Sequence, residues 1–153
     1  MDLDKLDRKI INILIRNSKL SYRDIAQAVG VSSVTILNRV KKLEQEGIIE
    51  KYVALINAKK VGGTIIVFCS VSLDVQKLPE IETFKSAVKE LPEVLECYLM
   101  GGSNDFLLKV MVEDLEAYHQ FSSGKLAALE NVNQIKSTFV LDEVKKSTVI
   151  PTL

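Results

Sequence analysis

The chain has 153 residues, 47% apolar and 26% charged, the balance of a globular protein with one or two small cores. No apolar run reaches the ~18 residues that span a bilayer, and the acidic start Met1-Asp2-Leu3-Asp4 lacks the order of a signal peptide, so no membrane partner and a cytoplasmic location are expected. The net charge of zero hides a division: residues 1–60 hold 12 Lys/Arg against 7 Asp/Glu, and residues 61–153 hold 8 against 13, so a polyanion is drawn to the first part and repelled by the second.

Along the chain, Leu6, Ile10, Ile13 and Leu14 recur at helical steps behind Asp4, a capping residue, and the helix ends at Asn17-Ser18. Ser21-x-x-Asp24 opens a second, short helix with Ile25, Ala26 and Val29 inward, and Gly30 supplies a left-handed turn. Ser32 caps a third helix that runs to about Glu46 and stops at Gly47. Its core stripe is Ile36, Val40 and Leu43; the opposite side carries Val34, Asn38, Lys41, Lys42 and Gln45. Ile48–Ile56 reads as a strand and 57–63 as a hinge.

From Thr64 the period changes. Strands are expected at Ile65–Leu73, Val94–Met100, Phe106–Val112 and about Ile135–Val144. One helix is expected from Pro79 to Leu91. Another is capped by Asp114 and contains Leu115, Tyr118, Phe121, Leu126 and Leu129. The order β-α-β-β-α-β is that of ferredoxin-like folds. The fold class is therefore α+β. A helix-turn-helix domain covers 1–50, a strand and hinge linker 51–63, and a ferredoxin-like domain 64–153.

Residues 21–49 outline a winged-type helix-turn-helix, which sets one helix into the major groove of double-stranded DNA. Ser33, Val34, Thr35 and Asn38 lie on the early turns, where Asn can pair with adenine and Thr or Val can touch a thymine methyl. Arg39, Lys41 and Lys42 suit phosphates, with an internal ion pair as the alternative for Arg39 at the edge of the core stripe. Cys69 and Cys97 have no CxxC partner and read as small buried hydrophobes. His119 reads as a surface or half-buried helical residue, and the carboxylates at 80, 82, 90, 93 and 96 as a solvated face rather than an acid–base or metal site. No nucleophile–His–acid set or Walker-type loop is present, and no catalytic residue, metal or cofactor is assigned.

Between two strands, Gly101, Gly102, Ser103, Asn104 and Asp105 either serve turn geometry or form a small-molecule site. In the second case the glycine N–H groups receive a carboxylate, Asp105 an ammonium group, and Ser103 and Asn104 adaptable hydrogen bonds, with Met100 and Phe106 flanking.

Leu3-Asp4-x-x-Asp7, the DIAQAVGVS segment, Arg39-Val40-Lys41-Lys42-Leu43 and Gly47-Ile48-Ile49 resemble the DNA-binding domain of the Lrp/AsnC family of transcription regulators. The resemblance continues through Pro92-Glu93-Val94, Gly102-Ser103-Asn104-Asp105-Phe106, Leu108-Lys109-Val110 and Phe139-Val140-Leu141, covering essentially the whole chain. It implies a ligand-sensing C-terminal domain, dimers that assemble into tetramers or octamers, and an amino-acid effector bound between subunits at the 101–106 loop. Gly101 stands where the family usually has Thr, Ser103 where an acidic residue is common, and Phe106 where Tyr is usual. Ser137 and Thr138 are candidates to complete the pocket from a neighbouring subunit, or ordinary strand residues. The rival readings are an architectural DNA-binding protein without effector, and an enzyme resembling the sirohaem decarboxylases. Against the enzyme, residues 61–153 contain one His and no Arg.

Overall fold

The computed structural model describes residues 2–62 and 65–150, which form two compact units. Of the described residues, the first unit takes those up to Leu55 and 145–150, and the second is Ile56–Val144. Positions 63 and 64, where the change of period was expected to begin, lie outside the described residues.

Three helices build the first unit: α1 (Lys5–Leu14), α2 (Tyr22–Val29) and α3 (Ser33–Gln45). Each begins where a side chain satisfies the free N–H groups of the first turn. Asp4 and Asp7 form a reciprocal capping box on α1, Ser21 and Asp24 a second on α2, and Ser32 accepts the Thr35 N–H on α3. Gly30 at φ +76° closes α2. At the end of α3, Gly47 at φ +69° lets its N–H reach the Glu44 carbonyl and the Ile48 N–H reach that of Leu43, a Schellman closure. The core holds Ile10, Leu14, Ile25, Ala26, Ile36, Val40 and Leu43 of the expected inward set together with Ile11, while Leu6, Ile13 and Val29 pack against it partly buried.

The expected strand at Ile48–Ile56 is absent, and 50–57 is irregular. Tyr52, Val53, Leu55 and Ile56 have the side chains of a strand but are exposed, and among the described residues no strand pairs with them. The hinge holds a single turn, α4 (Ala58–Val61).

The second unit has β1 (Ile65–Leu73), α5 (Leu78–Lys89), β2 (Val94–Leu99), β3 (Phe106–Val112), α6 (Leu115–His119), a π-helical turn (Gln120–Leu126) and β4 (Val132–Phe139). The sheet order is β2-β3-β1-β4, and every neighbouring pair is antiparallel. Each helix therefore connects two strands that have a third between them, the split arrangement of a ferredoxin-like fold. β4 stops at Phe139, not near Val144, because Val67 opposite Phe139 lies near the start of β1; only the Val140 N–H, bound to Ile66 O, extends the ladder. The expected plain helix after Asp114 widens beyond His119. The Ala127 N–H reaches Ser122 O, and the five-residue step from Phe121 to Leu126 brings both into the core; Leu129 lies beyond the helix.

Val67, Cys69, Val71 and Leu73 of β1 and alternate residues of β3 pack under the helices with Phe84, Tyr118, Phe121 and Leu126. The other sheet face carries Phe68, Leu107 and Met111, half-buried, while α5 and α6 pack on the opposite face. Cys69 is buried as expected, but Cys97 is exposed, because β2 is an edge strand beside an open groove. His119 is exposed on α6.

Candidate DNA-binding face and effector loop

The caps and core stripe of α3 decide which side chains face outward. With Ile36, Val40 and Leu43 fully buried, Ser33, Val34, Asn38, Lys41 and Lys42 are exposed, Val34 at 63%. An exposed Val among polar and basic neighbours leaves a methyl contact available on an otherwise hydrogen-bonding face. Thr35 is half-buried, and its Oγ1 lies 2.8 Å from Ser32 Oγ at the helix start.

Arg39 realises the alternative that the sequence left open. Its Nη1 donates to Asp4 Oδ2 at 2.6 Å and to Asp7 Oδ1 at 3.1 Å, tying α3 to the first turn of α1. Asp7 is 2% exposed, so its charge needs that partner. The hydrogen bond from the Asp7 N–H, with help from Arg39, holds the Asp4 carboxyl below its usual range, and the two carboxylates push the Arg39 guanidinium up. Arg39 thus braces the helix from within, while Lys41 and Lys42 remain the outward cations of the face.

At the second candidate site, β1 runs antiparallel to both β3 and β4, so Leu73, Phe106 and Val132 meet at one end of the sheet. The Gly101–Asp105 loop closes there through the Met100 N–H to Asp105 O at 2.8 Å and the Asp105 N–H to Val71 O at 3.0 Å. Gly101, Gly102 and Ser103 are exposed, and a Cβ added at either glycine would meet nothing within 4 Å. The loop's small residues thus leave the space beside its backbone open.

Asp105 Oδ2 accepts the Leu73 N–H at 2.7 Å and Gln76 Nε2 at 3.3 Å. Asn104 is half-buried, with its Oδ1 accepting the Ser72 hydroxyl at 3.4 Å and its Nδ2 donating to Ser103. Phe106 is 1% exposed and packs against Phe84 at 4.5 Å between ring centroids. It belongs to the core, where its ring faces Phe84. Met100 is exposed.

Within one chain Ser137 and Thr138 lie along β4, away from this loop. They pair with Cys69 and Phe68 along β4, and Ser137 accepts the Tyr118 hydroxyl. Burial pushes the Tyr118 phenol up to about 12 and raises the Cys69 thiol. Two residues that sequence reading passed over do belong to the loop cluster: Gln76 on Asp105, and Asn131, which binds the Val75 backbone. Neither lies in a motif. The sole local signal was an Asn just before a strand, where a left-handed backbone is tolerated. Among the described residues, no group of His, Cys, Asp and Glu is placed to hold a metal, and no helix is long and apolar enough to cross a membrane.

Comparison with known proteins agrees with both halves. Residues 3–50 match a winged helix-turn-helix DNA-binding family and residues 66–150 an Lrp/AsnC ligand binding domain. The chain is 37% identical over 150 residues to the Bkd operon transcriptional regulator of Pseudomonas aeruginosa, covering 98% of each. It is 36% identical to the leucine-responsive regulatory protein of Escherichia coli, over 95% of this chain and 89% of that one. A transcriptional regulator of Neisseria meningitidis, solved as a complex with L-methionine, superposes with a TM-score of 0.91 at 33% identity, over 98% and 97% of the two chains. An AsnC-family regulator of Agrobacterium tumefaciens gives 0.90 at 36%, over 97% of each.

Proposed function

The chain belongs to the Lrp/AsnC family of transcription regulators, and from that membership we infer how its two units divide the work. The protein is a ligand-responsive DNA-binding regulator. In our reading α3 enters the major groove, with Ser33, Val34 and Asn38 at base edges and Lys41 and Lys42 on phosphates. One observation carries this: the exposed residues of α3 are those able to read DNA, on a helix fixed from behind by three fully buried aliphatic residues.

The effector is an amino acid held at the Gly101–Asp105 loop, its carboxylate on the loop's N–H groups and its ammonium on Asp105. An apolar side chain is favoured, since one relative is named for its response to leucine and a solved neighbour holds L-methionine. No further cofactor is needed. Copies of the chain pair through the sheet face opposite α5 and α6, whose half-buried Phe68, Leu107 and Met111 suit an apolar contact, and the dimers assemble into tetramers or octamers. A dimer presents two α3 helices to half-sites about 34 Å apart. The effector acts only if it binds one assembly better than another.

The protein works in the cytoplasm and is not an enzyme: its curated relatives are regulators, and the ligand domain offers one exposed His and no Arg for acid–base chemistry. A thermal-shift screen against the amino acids tests the sensing half. A rise in melting temperature with at least one of them supports it. No shift with any would leave an architectural DNA-binding protein.

A further inference from the structure

We propose that Gln76 is the group an incoming α-ammonium displaces from Asp105, so that Gln76 sets effector affinity and its release reports binding to the β1–α5 connection. This rests on the reading of the Gly101–Asp105 loop as the effector site.

The two donors on Asp105 Oδ2 are unequal. The Leu73 N–H, at 2.7 Å, belongs to the last residue of β1 and is fixed by the sheet. The Gln76 amide, at 3.3 Å, sits on an exposed side chain with rotatable bonds. Only the second can leave without disturbing the backbone.

Asn131 makes that separation possible. Its Oδ1 accepts the Val75 N–H at 2.8 Å, its Nδ2 donates to Val75 O at 2.8 Å, and its own carbonyl accepts the Asp74 N–H at 2.9 Å. It does so from φ +67°, and no other non-glycine residue among those described adopts a positive φ. Residues 73–75 are thus held between Asp105 and Asn131, and the Gln76 side chain is the movable part of the segment.

An amide N–H and an ammonium N–H both make charge-assisted bonds to a carboxylate, but the ammonium adds the attraction of a second full charge. The ammonium therefore wins the place, at the cost of the bond it replaces. Gln76 lowers affinity by that amount. A ligand with no donor at that position gains nothing from displacing it.

The test is calorimetric titration of the full chain and of Gln76→Ala with L-leucine and L-methionine, and with the deamino acids in which a hydrogen atom replaces the ammonium. Gln76→Ala is expected to tighten the amino acids roughly threefold to tenfold, the range of one partly exposed hydrogen bond to a charged group, and to leave the deamino acids within about twofold. Amino acids bound equally or more weakly by Gln76→Ala would overturn the displacement while sparing the effector site. So would an equal gain for the deamino acids. Binding of neither amino acid to either protein would instead overturn the effector-loop reading, and the displacement with it.

Discussion

Arg39 on α3 reaches across 32 residues of sequence to the buried carboxylate of Asp7, its Nη1 3.1 Å from Oδ1. A second contact from the same nitrogen, to Asp4, makes α1 and α3 one body. Replacing Arg39 with Met keeps most of the side chain's volume but leaves Asp7 without its counter-charge. The expected loss is about 1–2 kcal/mol, below the value for a fully buried pair because Arg39 is partly exposed. Urea unfolding measures it. Arg39→Lys should recover part of the loss, and a variant as stable as the parent would refute the brace.

Lys41 and Lys42 should behave in the opposite way. Each changed to Ala is expected to leave stability within about 0.5 kcal/mol, as for an exposed surface residue. Each should reduce the dependence of log affinity on log salt by about one ion. For Arg39→Met that slope should stay at the parent value. An unchanged slope in both Lys variants would remove them from the phosphate contacts.

Asn38→Ala is expected to relax discrimination at one or two base pairs by about 1–3 kcal/mol while leaving affinity for unrelated DNA in place. Selection of binding sites from a random pool, with parent and variant side by side, reads this directly. Uniform weakening over all sequences would place Asn38 on the backbone instead.

Stability should fall in acid. Asp4 lies below its usual value of 3.8 because the Asp7 N–H and Arg39 bond to its charged form, and Asp24 because the Ser21 hydroxyl and N–H do the same. A carboxylate with a lowered folded-state pKa stabilises fully above its unfolded value, and that contribution is lost as pH falls through the folded one. These two caps should therefore contribute nothing pH-dependent between about pH 5 and pH 8 and fade below about pH 4. Denaturant midpoints across that range check the sign. An Asp24→Ser variant should show the shallower acid decline, and one as steep as the parent's would contradict the assignment.

Asn131 offers a test of backbone and side chain separately. Asn131→Gly keeps the left-handed conformation but loses the bonds to Val75, and Asn131→Ala loses both, so Ala should be the less stable by about 1 kcal/mol. Faster hydrogen exchange at Val75 is expected in both. Equal stability of the two variants would mean that φ at 131 is not held as described.

Sequence made the helical unit legible because its determinants are local. Asp4-x-x-Asp7 and Ser21-x-x-Asp24 mark their own helix starts, and Gly30 and Gly47 their ends. The same holds for β1 and β3, whose alternation and turn boundaries agree. What failed depended on partners elsewhere in the fold. Tyr52–Ile56 has strand chemistry and no ladder partner among the described residues, and β4 ends where β1 runs out rather than where its own β-rich residues do. The π turn was hidden in the five-residue spacing of Phe121 and Leu126. At the candidate sites, Arg39 and Phe106 have residue types that suit a ligand, but they face Asp7 and Phe84, and only tertiary packing decides that. Gln76 and Asn131 entered the site through topology, which brings the ends of three strands together.

On the proposed reading one chain couples DNA reading to an amino acid, and a single titration tests the coupling: affinity for a site selected from random DNA, with assembly mass read in the same samples, with and without each amino acid. A pseudo-palindromic site with half-sites about 34 Å apart is expected, and at least one amino acid that shifts affinity about fivefold or more or moves the assembly between dimer, tetramer and octamer. Affinity and mass unchanged by every amino acid, on DNA showing no sequence preference, would contradict it.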